Sequence, residues 1–282
     1  MPLEAAHVDT NFFVDDRFVI VSEIDFLILP CTTVYDVRGE YLFITIGCYG
    51  NKSQLYFYMI RHITFPVLLL ISFSCGQKEI LVTKDNLREV LTTYGKNNPE
   101  NEVLIETSFG NIRLQLYEDT PFHRANFVKL IKDGYYDEAE FYRIVYEFMI
   151  QGGDLKKKLD YRIPAEFNPK YIHKKGALSM ARVDENNPEK ESSSTEFFIV
   201  HGGRYTEEDV DFEARNLGLT LTPEQKQLYA TQGGYMTLDH EYTVFGEVTE
   251  GLDVVDKIAH AKVFNEDTPL KKIPFKISVV EK

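Results

Sequence analysis

Phe141–Asp154 reads FYRIVYEFMIQGGD, and this stretch decides how the rest of the chain is read. It opens with an apolar alternation that suits a strand, placing Phe141, Arg143 and Val145 on one side and Tyr142 and Ile144 on the other. A second apolar run, Phe148-Met149-Ile150, leads to the polar Gln151, and Gly152-Gly153-Asp154 stops it. Two strand segments around a bend therefore bring one Arg, one Gln and a Phe-Met pair close together. A cation over an apolar floor can hold a small apolar ring and hydrogen-bond a polar atom on it. Taken alone, these residues read more readily as a solvent-facing strand Arg beside a core Phe and Met.

The whole string is more specific than its parts. It resembles the signature of the cyclophilin family of peptidyl-prolyl isomerases, F-H-R-x-x-x-x-F-M-x-Q-G-G-D, with Tyr142 where His is usual. Three later segments resemble the same family. Gly176–Val183, GALSMARV, is similar to G-x-L-S-M-A-N; Glu196–Val200, EFFIV, to S-Q-F-F-I; and Leu238–Val248, LDHEYTVFGEV, to L-D-x-x-x-x-V-F-G-x-V. The resemblance covers about Glu102–Lys282 and leaves out residues 1–101. It implies a mainly β fold, a closed eight-stranded antiparallel barrel capped by two helices. Many short strands with two helices in the main frame suggest a closed barrel independently. Residues 203–236 resemble nothing in the smallest cyclophilins. Thr206-Glu207-Glu208 and the capping-box pattern Thr222-Pro223-Glu224-Gln225 predict two short helices inserted there.

The chemistry implied is rotation of an X-Pro amide. Its barrier is ~18–20 kcal/mol, and uncatalysed exchange takes roughly tens to hundreds of seconds. No bond breaks, so no nucleophile, metal or cofactor is expected. A donor aimed at the prolyl nitrogen stabilises the twisted state, in which the nitrogen lone pair is free. Arg suits this role because it stays protonated and offers directed donors. The resemblance makes Arg143 that donor and Gln151 the residue that orients it. It makes Phe148, Met149, Phe198 and Leu238 the proline pocket, and it places Ala181, Arg182, Glu196, Thr237 and Tyr242 along the substrate groove. Four of these depart from the commoner residues: Arg182 for Asn, Glu196 for Gln, Thr237 for Trp and Tyr242 for His. Glu196 has two candidate partners, Arg143 and Arg182; Glu196 and Arg182 together replace two neutral amides by opposite charges, which favours that pair.

The expected clients are proline-containing polypeptides, bound by a monomer. A chaperone or peptide-binding module with little turnover is the alternative reading. Other classes find little support. Net charge is −13, which disfavours nucleic acid. The seven His are scattered without metal-ligand spacing, and no G-x-S-x-G or phosphate-binding Gly loop is present.

Local signals fill in the frame. VLIETSFGNIRLQLY predicts a hairpin around Ser108–Asn111. Thr120-Pro121 predicts a helix start, with Phe127, Leu130 and Ile131 as its buried stripe and Gly134 as its stop. Leu252–Ile258 predicts a second core-facing helix, and Phe275–Val280 a closing strand. In residues 76–101, read as a tether, Thr83 opens a helix to about Tyr94, with Gly95 just past its end.

The first 75 residues carry a different signal. Met59–His62 is a short basic start, ITFPVLLLISF at 63–73 is apolar, and Ser74-Cys75-Gly76 follows. That layout resembles a bacterial lipoprotein signal peptide ending at a lipidated Cys75. It implies a lipid anchor on the cell envelope, on the periplasmic or outer-surface side, in the service of exported proteins. A short buried strand or helix is the other reading of the run. A leader at 59–75 makes residues 1–58 a start-site artefact; the rival is a small β-rich extension, with FVIVSEIDFLIL and YLFITIGCY as strands.

Overall fold

Strand pairing in this chain starts from local turns. In the computed structural model, residues 81–153 and 159–280 are described, together with the backbone of four strands nearer the N-terminus. Those four are β1 (Phe13–Asp15), β2 (Phe18–Ile20), β3 (Phe43–Tyr49) and β4 (Lys52–Tyr58). β1 pairs with β2 and β3 with β4, both antiparallel. β2 and β3 fall within the two stretches read as strands. They belong to a separate unit, Met1–Gly76. The signal-like run at 59–75, Cys75 and Asp154 lie outside the described residues.

The second unit, Gln77–Lys282, holds the barrel. β5 (Glu102–Thr107) and β6 (Gly110–Leu116) form the expected hairpin. β7 (Glu140–Val145) and β8 (Met149–Gly153) form a second. β10 (Ala177–Met180), β12 (Phe197–Val200), β13 (Val244–Glu250) and β14 (Phe275–Val279) complete eight strands in the order β14-β5-β6-β13-β10-β12-β8-β7. The two ends meet: Phe141 N donates to Ile273 O (2.9 Å) and Phe275 N to Ala139 O (3.2 Å), so the barrel is nearly closed. The short strands β9 (Arg162–Ile163) and β11 (Ser192–Ser193) pair with each other.

Two helices cap the barrel. α2 (Pro121–Lys132) contributes Phe127, Val128, Leu130 and Ile131 to the core, and α5 (Leu252–Ala259) contributes Val254, Val255 and Ile258. α2 starts where Thr120-Pro121 predicts, but by another device. The Thr120 hydroxyl donates to Tyr117 O (3.3 Å). The first-turn donors Phe122 N and His123 N are met instead by the two oxygens of Glu166, at 3.1 and 2.9 Å. A carboxylate there also faces the positive end of the helix dipole.

α1 (Leu87–Asn97) begins later than Thr83 and does not end at Gly95. It docks on α2 through Leu87 and Leu91, packed with Ala125 and Tyr161, so the segment is part of the domain's core. Gly95 is buried inside the helix. A Cβ there would lie 3.1 Å from Ala125 Cβ, and Gly95 O accepts from Arg124 Nη2. The glycine serves a close helix–helix approach. Both inserted helices form as read: α3 (Glu207–Leu217) and α4 (Pro223–Gln232) start at Thr206 and Thr222, each with a complete capping box.

Candidate active site

The outer face of the barrel wall carries the site. Side chains alternate along a strand, so one face of β8, β10 and β12 fills the barrel and the other must find another cover. Ile150, Leu178, Met180, Phe197 and Ile199 point into the main core. Met149, Ala177, Phe198 and Val200 point outward and cluster with Ala181, Leu238 and Val244. Phe148, Tyr235 and Tyr242 pack on this second cluster, half-buried. Phe148, Met149, Phe198 and Leu238 are therefore brought together in one cluster.

Arg143 reaches the rim of this cluster through a β-bulge. The register of β7 on β8 shifts between Phe141 and Arg143: Phe141 lies opposite Gly152, and Arg143 opposite Gln151. Strict alternation would put Phe141 and Arg143 on one face. The extra residue, Tyr142, separates them, so Phe141 is fully buried in the core while the Arg143 side chain is 41% exposed. The alternation read from the sequence is corrected at this point.

Arg143 Nη1 donates to Gln151 Oε1 at 3.4 Å, and Gln151 Nε2 donates to Tyr142 Oη at 2.6 Å. Tyr142 thus fixes the amide that orients the guanidinium. Burial first, then the nearby Glu196 charge, raises the Tyr142 hydroxyl well above its ordinary range, so it stays protonated. On its other side Arg143 Nη2 meets Asp267 Oδ2 at 3.4 Å. Asp267 sits in a short 3-10 turn, Asn265–Asp267, at φ 62°. Nothing in its local sequence marks it as a partner of a residue 124 positions away.

The groove departures resolve differently from expectation. Arg182 does not pair with Glu196. Its Nε donates to Asp184 Oδ1 (2.6 Å), its Nη1 to the Glu241 carbonyl, and its guanidinium carbon lies 4.4 Å from the centre of the Tyr242 ring. Glu196 accepts from Ser193 Oγ (3.3 Å) and stands by Tyr142. Arg182 and Tyr242 are thus substituted as a stacked pair, a cation over a ring. Tyr242 in turn packs edge-on against Phe198, with centroids 5.9 Å apart. Ala181 is buried, its N–H bonded to Glu196 O (2.8 Å). Thr237 is exposed and joins no apolar cluster among the described residues. The ring beside Phe148 comes instead from Tyr235, centroids 4.3 Å apart, at the end of the insertion. The sequence offers no signal for Tyr235 beyond its place two residues before Thr237.

Buried polar groups fasten this face. Asp239, next to Leu238, accepts from Tyr229 Oη (2.6 Å) and from His173 N (2.8 Å), and His173 Nδ1 lies 2.9 Å from it. Tyr229 belongs to α4, so the insertion is tied to the loop that carries Leu238 of the second cluster. Among the described residues no cluster of His, Cys, Asp and Glu is arranged to hold a metal ion. A separate cleft of about 440 Å³ lies between α1 and residues 159–164; it is lined mainly by charged side chains and contains none of the residues around Arg143.

The family described as cyclophilin type peptidyl-prolyl cis-trans isomerase/CLD matches residues 102–280. A Staphylococcus saprophyticus protein assigned as a peptidyl-prolyl cis-trans isomerase is 33% identical over 206 residues, covering 68% of this chain and all of that one. One from Staphylococcus haemolyticus is 32% identical, covering 65% and 95%. A bifunctional phosphatase/isomerase of Streptococcus pyogenes is 33% identical, with 63% of this chain matching 38% of that one. Among solved structures, a Cryptosporidium parvum cyclophilin-type isomerase crystallised in the presence of the dipeptide Ala-Pro is 21% identical with a TM-score of 0.47, covering 64% of this chain and 99% of that one.

Proposed function

The chain belongs to the cyclophilin-type peptidyl-prolyl cis-trans isomerases, and from that premise we propose that Arg143 is its catalytic donor and the Phe148–Met149–Phe198–Leu238 cluster its proline pocket. The observation that carries this is the placement of a half-exposed guanidinium at the rim of an otherwise apolar cluster, oriented by Gln151. The prolyl ring rests on the apolar side chains, which favour its removal from water. With the ring held, the rest of the client turns about the C–N bond. As the amide twists, conjugation is lost and the prolyl nitrogen becomes a hydrogen-bond acceptor. Gln151 and Asp267 occupy only part of the guanidinium's donor set, so donors remain for that nitrogen. The donor favours the twisted state over the planar one, which is what acceleration requires. Ala181, Arg182, Glu196, Thr237 and Tyr242 line or flank the path of the client chain.

We further propose that the clients are exported proteins, met by a monomer held on the bacterial envelope by a lipid on Cys75. The support is the basic start, the apolar run 63–73 and Ser74-Cys75. Titration of the protein with an Ala-Pro peptide should shift the NMR signals of Phe148, Met149, Phe198 and Leu238 together, with exchange between the cis and trans forms. Shifts confined elsewhere would refute the site. A native mature N-terminus at lipidated Cys75, read by mass, is the expected result for the anchor; a native protein that keeps residues 1–58 would refute it.

A further inference from the structure

The insertion does more than decorate the barrel, because it builds a cavity that shares a wall with the proline pocket. The β7–β8 turn and the two ends of the insertion line an open cleft of about 390 Å³, within the roughly 300–1,000 Å³ range typical of ligand pockets. Four of its walls are aromatic: Tyr146, Phe148, Tyr205 and Tyr235. Phe148 also packs on the cluster containing Met149, Phe198 and Leu238. A chain seated in one space therefore continues into the other.

The walls are set before any client arrives. Gly203 and Gly234 exchange backbone hydrogen bonds (3.0 and 2.9 Å), closing the insertion at its base. The approach is so close that a Cβ on Gly202 would lie 2.5 Å from Gly234 Cα. Tyr205 accepts from Met236 N (3.3 Å) and packs edge-on against buried Tyr229, centroids 5.6 Å apart. The opposite wall is equally fixed. Phe148 O accepts from His201 N and Gly202 N (2.9 and 3.0 Å), and Glu147 N donates to His201 Nδ1 (3.0 Å). At the rim, Arg204 is exposed and has no ion pair or hydrogen bond among the described residues. A free guanidinium can stack on the face of a ring.

We infer that this cavity is a second client subsite, which takes a large apolar or aromatic side chain flanking the prolyl residue. The inference rests on the isomerase reading of Arg143 and its pocket. Aromatic walls around a preformed space reward a ring, and the shared Phe148 restricts that ring to a residue near the proline in the same chain. The barrel supplies rotation about any X-Pro bond it can hold, and the insertion adds a choice among clients.

Exchange NMR on peptides that carry Phe or Ala on either side of Ala-Pro tests this without a coupling protease and its own preferences. At one flanking position Phe should raise kcat/KM about tenfold over Ala, mostly through KM. Gly203→Leu fills the cavity, since a Cβ there meets only Glu147 O at 3.9 Å; it should bring the Phe/Ala ratio close to unity. Arg204→Ala, at an exposed position, should lower the ratio severalfold, and it serves the test if Gly203→Leu fails to fold. Exchange without preference at either position, or a preference that survives Gly203→Leu in a folded protein, would overturn the subsite alone. Absence of exchange with every peptide would refute the isomerase reading and the subsite with it.

Discussion

Replacing Tyr229 by Phe removes one hydroxyl and leaves the ring. That hydroxyl donates to Asp239 Oδ2 across 2.6 Å, and it is the only donor to that oxygen among the described residues. His173 serves the other oxygen. Tyr229 is fully buried and Asp239 only 6% exposed, so water cannot take over the lost bond. Burial first, and then Asp239, push the Tyr229 hydroxyl far above its ordinary range, so it is a donor at every working pH. A buried acceptor left bare costs about 1–3 kcal/mol, and hydrogen bonds to a charged group lie at the upper end. The retained ring leaves almost no cavity, so the loss should be about 2–3 kcal/mol from this term alone. For a domain of this size that lowers the melting temperature by about 5–10 °C. Urea unfolding should show an earlier midpoint at unchanged slope. Since Asp239 adjoins Leu238, KM for proline peptides should rise more than kcat falls. A stability change below about 0.5 kcal/mol, the level of an ordinary surface substitution, would refute the claim that this network fastens the insertion to the pocket.

Three further outcomes concern Glu166, His201 and the Glu196–Arg182 pair. Glu166→Ala strips the acceptors from Phe122 N and His123 N and should cost about 1–2 kcal/mol, with faster hydrogen exchange in the first turn of α2. His201 is held below its ordinary value of 6.5 by burial first and Lys175 next, with His260 acting the same way and Asp256 and Glu147 opposing. The unfolded chain then binds the extra proton over the window just below pH 6.5, so stability is complete above 6.5 and falls as the pH drops. Unfolding measured from pH 7 to 5 should show this loss, and His201→Asn should flatten it. For Glu196→Gln and Arg182→Asn, a double-mutant cycle should be additive within about 0.5 kcal/mol, because the two side chains have different partners; a larger coupling would mean they do interact.

The parts of this fold written in local sequence were the legible ones. The Ser108–Asn111 turn and the two capping boxes each specify an element without help from distant residues. The apolar cluster of the candidate site was legible because Phe148, Met149, Phe198 and Leu238 lie in segments that resemble one family. The misread features depend on contacts that a local sequence pattern does not encode. Gly95 looks like a helix stop until Ala125 packs against it. Thr120 looks like a cap until Glu166 takes the role, reaching Phe122 N from 44 positions away. The bulge at Tyr142 is invisible to a period-two pattern, because it is defined by register against β8. Charge balance suggested Glu196 with Arg182, but Tyr242, Asp184 and Glu241 reach Arg182 first. Asp267 and Tyr235 could be found only by folding the chain.

Turnover and affinity measured together on Arg143→Ala test the central claim most directly. The side chain contributes little to stability, since its contacts to Gln151 and Asp267 are long and its exposure is 41%; an exposed ion pair is worth about 0–1 kcal/mol. The melting curve should therefore hardly move. An Ala-Pro peptide should still bind within severalfold, because the apolar pocket is intact. Its cis–trans exchange should slow about a hundredfold or more, the usual scale for losing one transition-state donor. A folded Arg143→Ala protein that turns over X-Pro bonds at a near-normal rate would contradict the account.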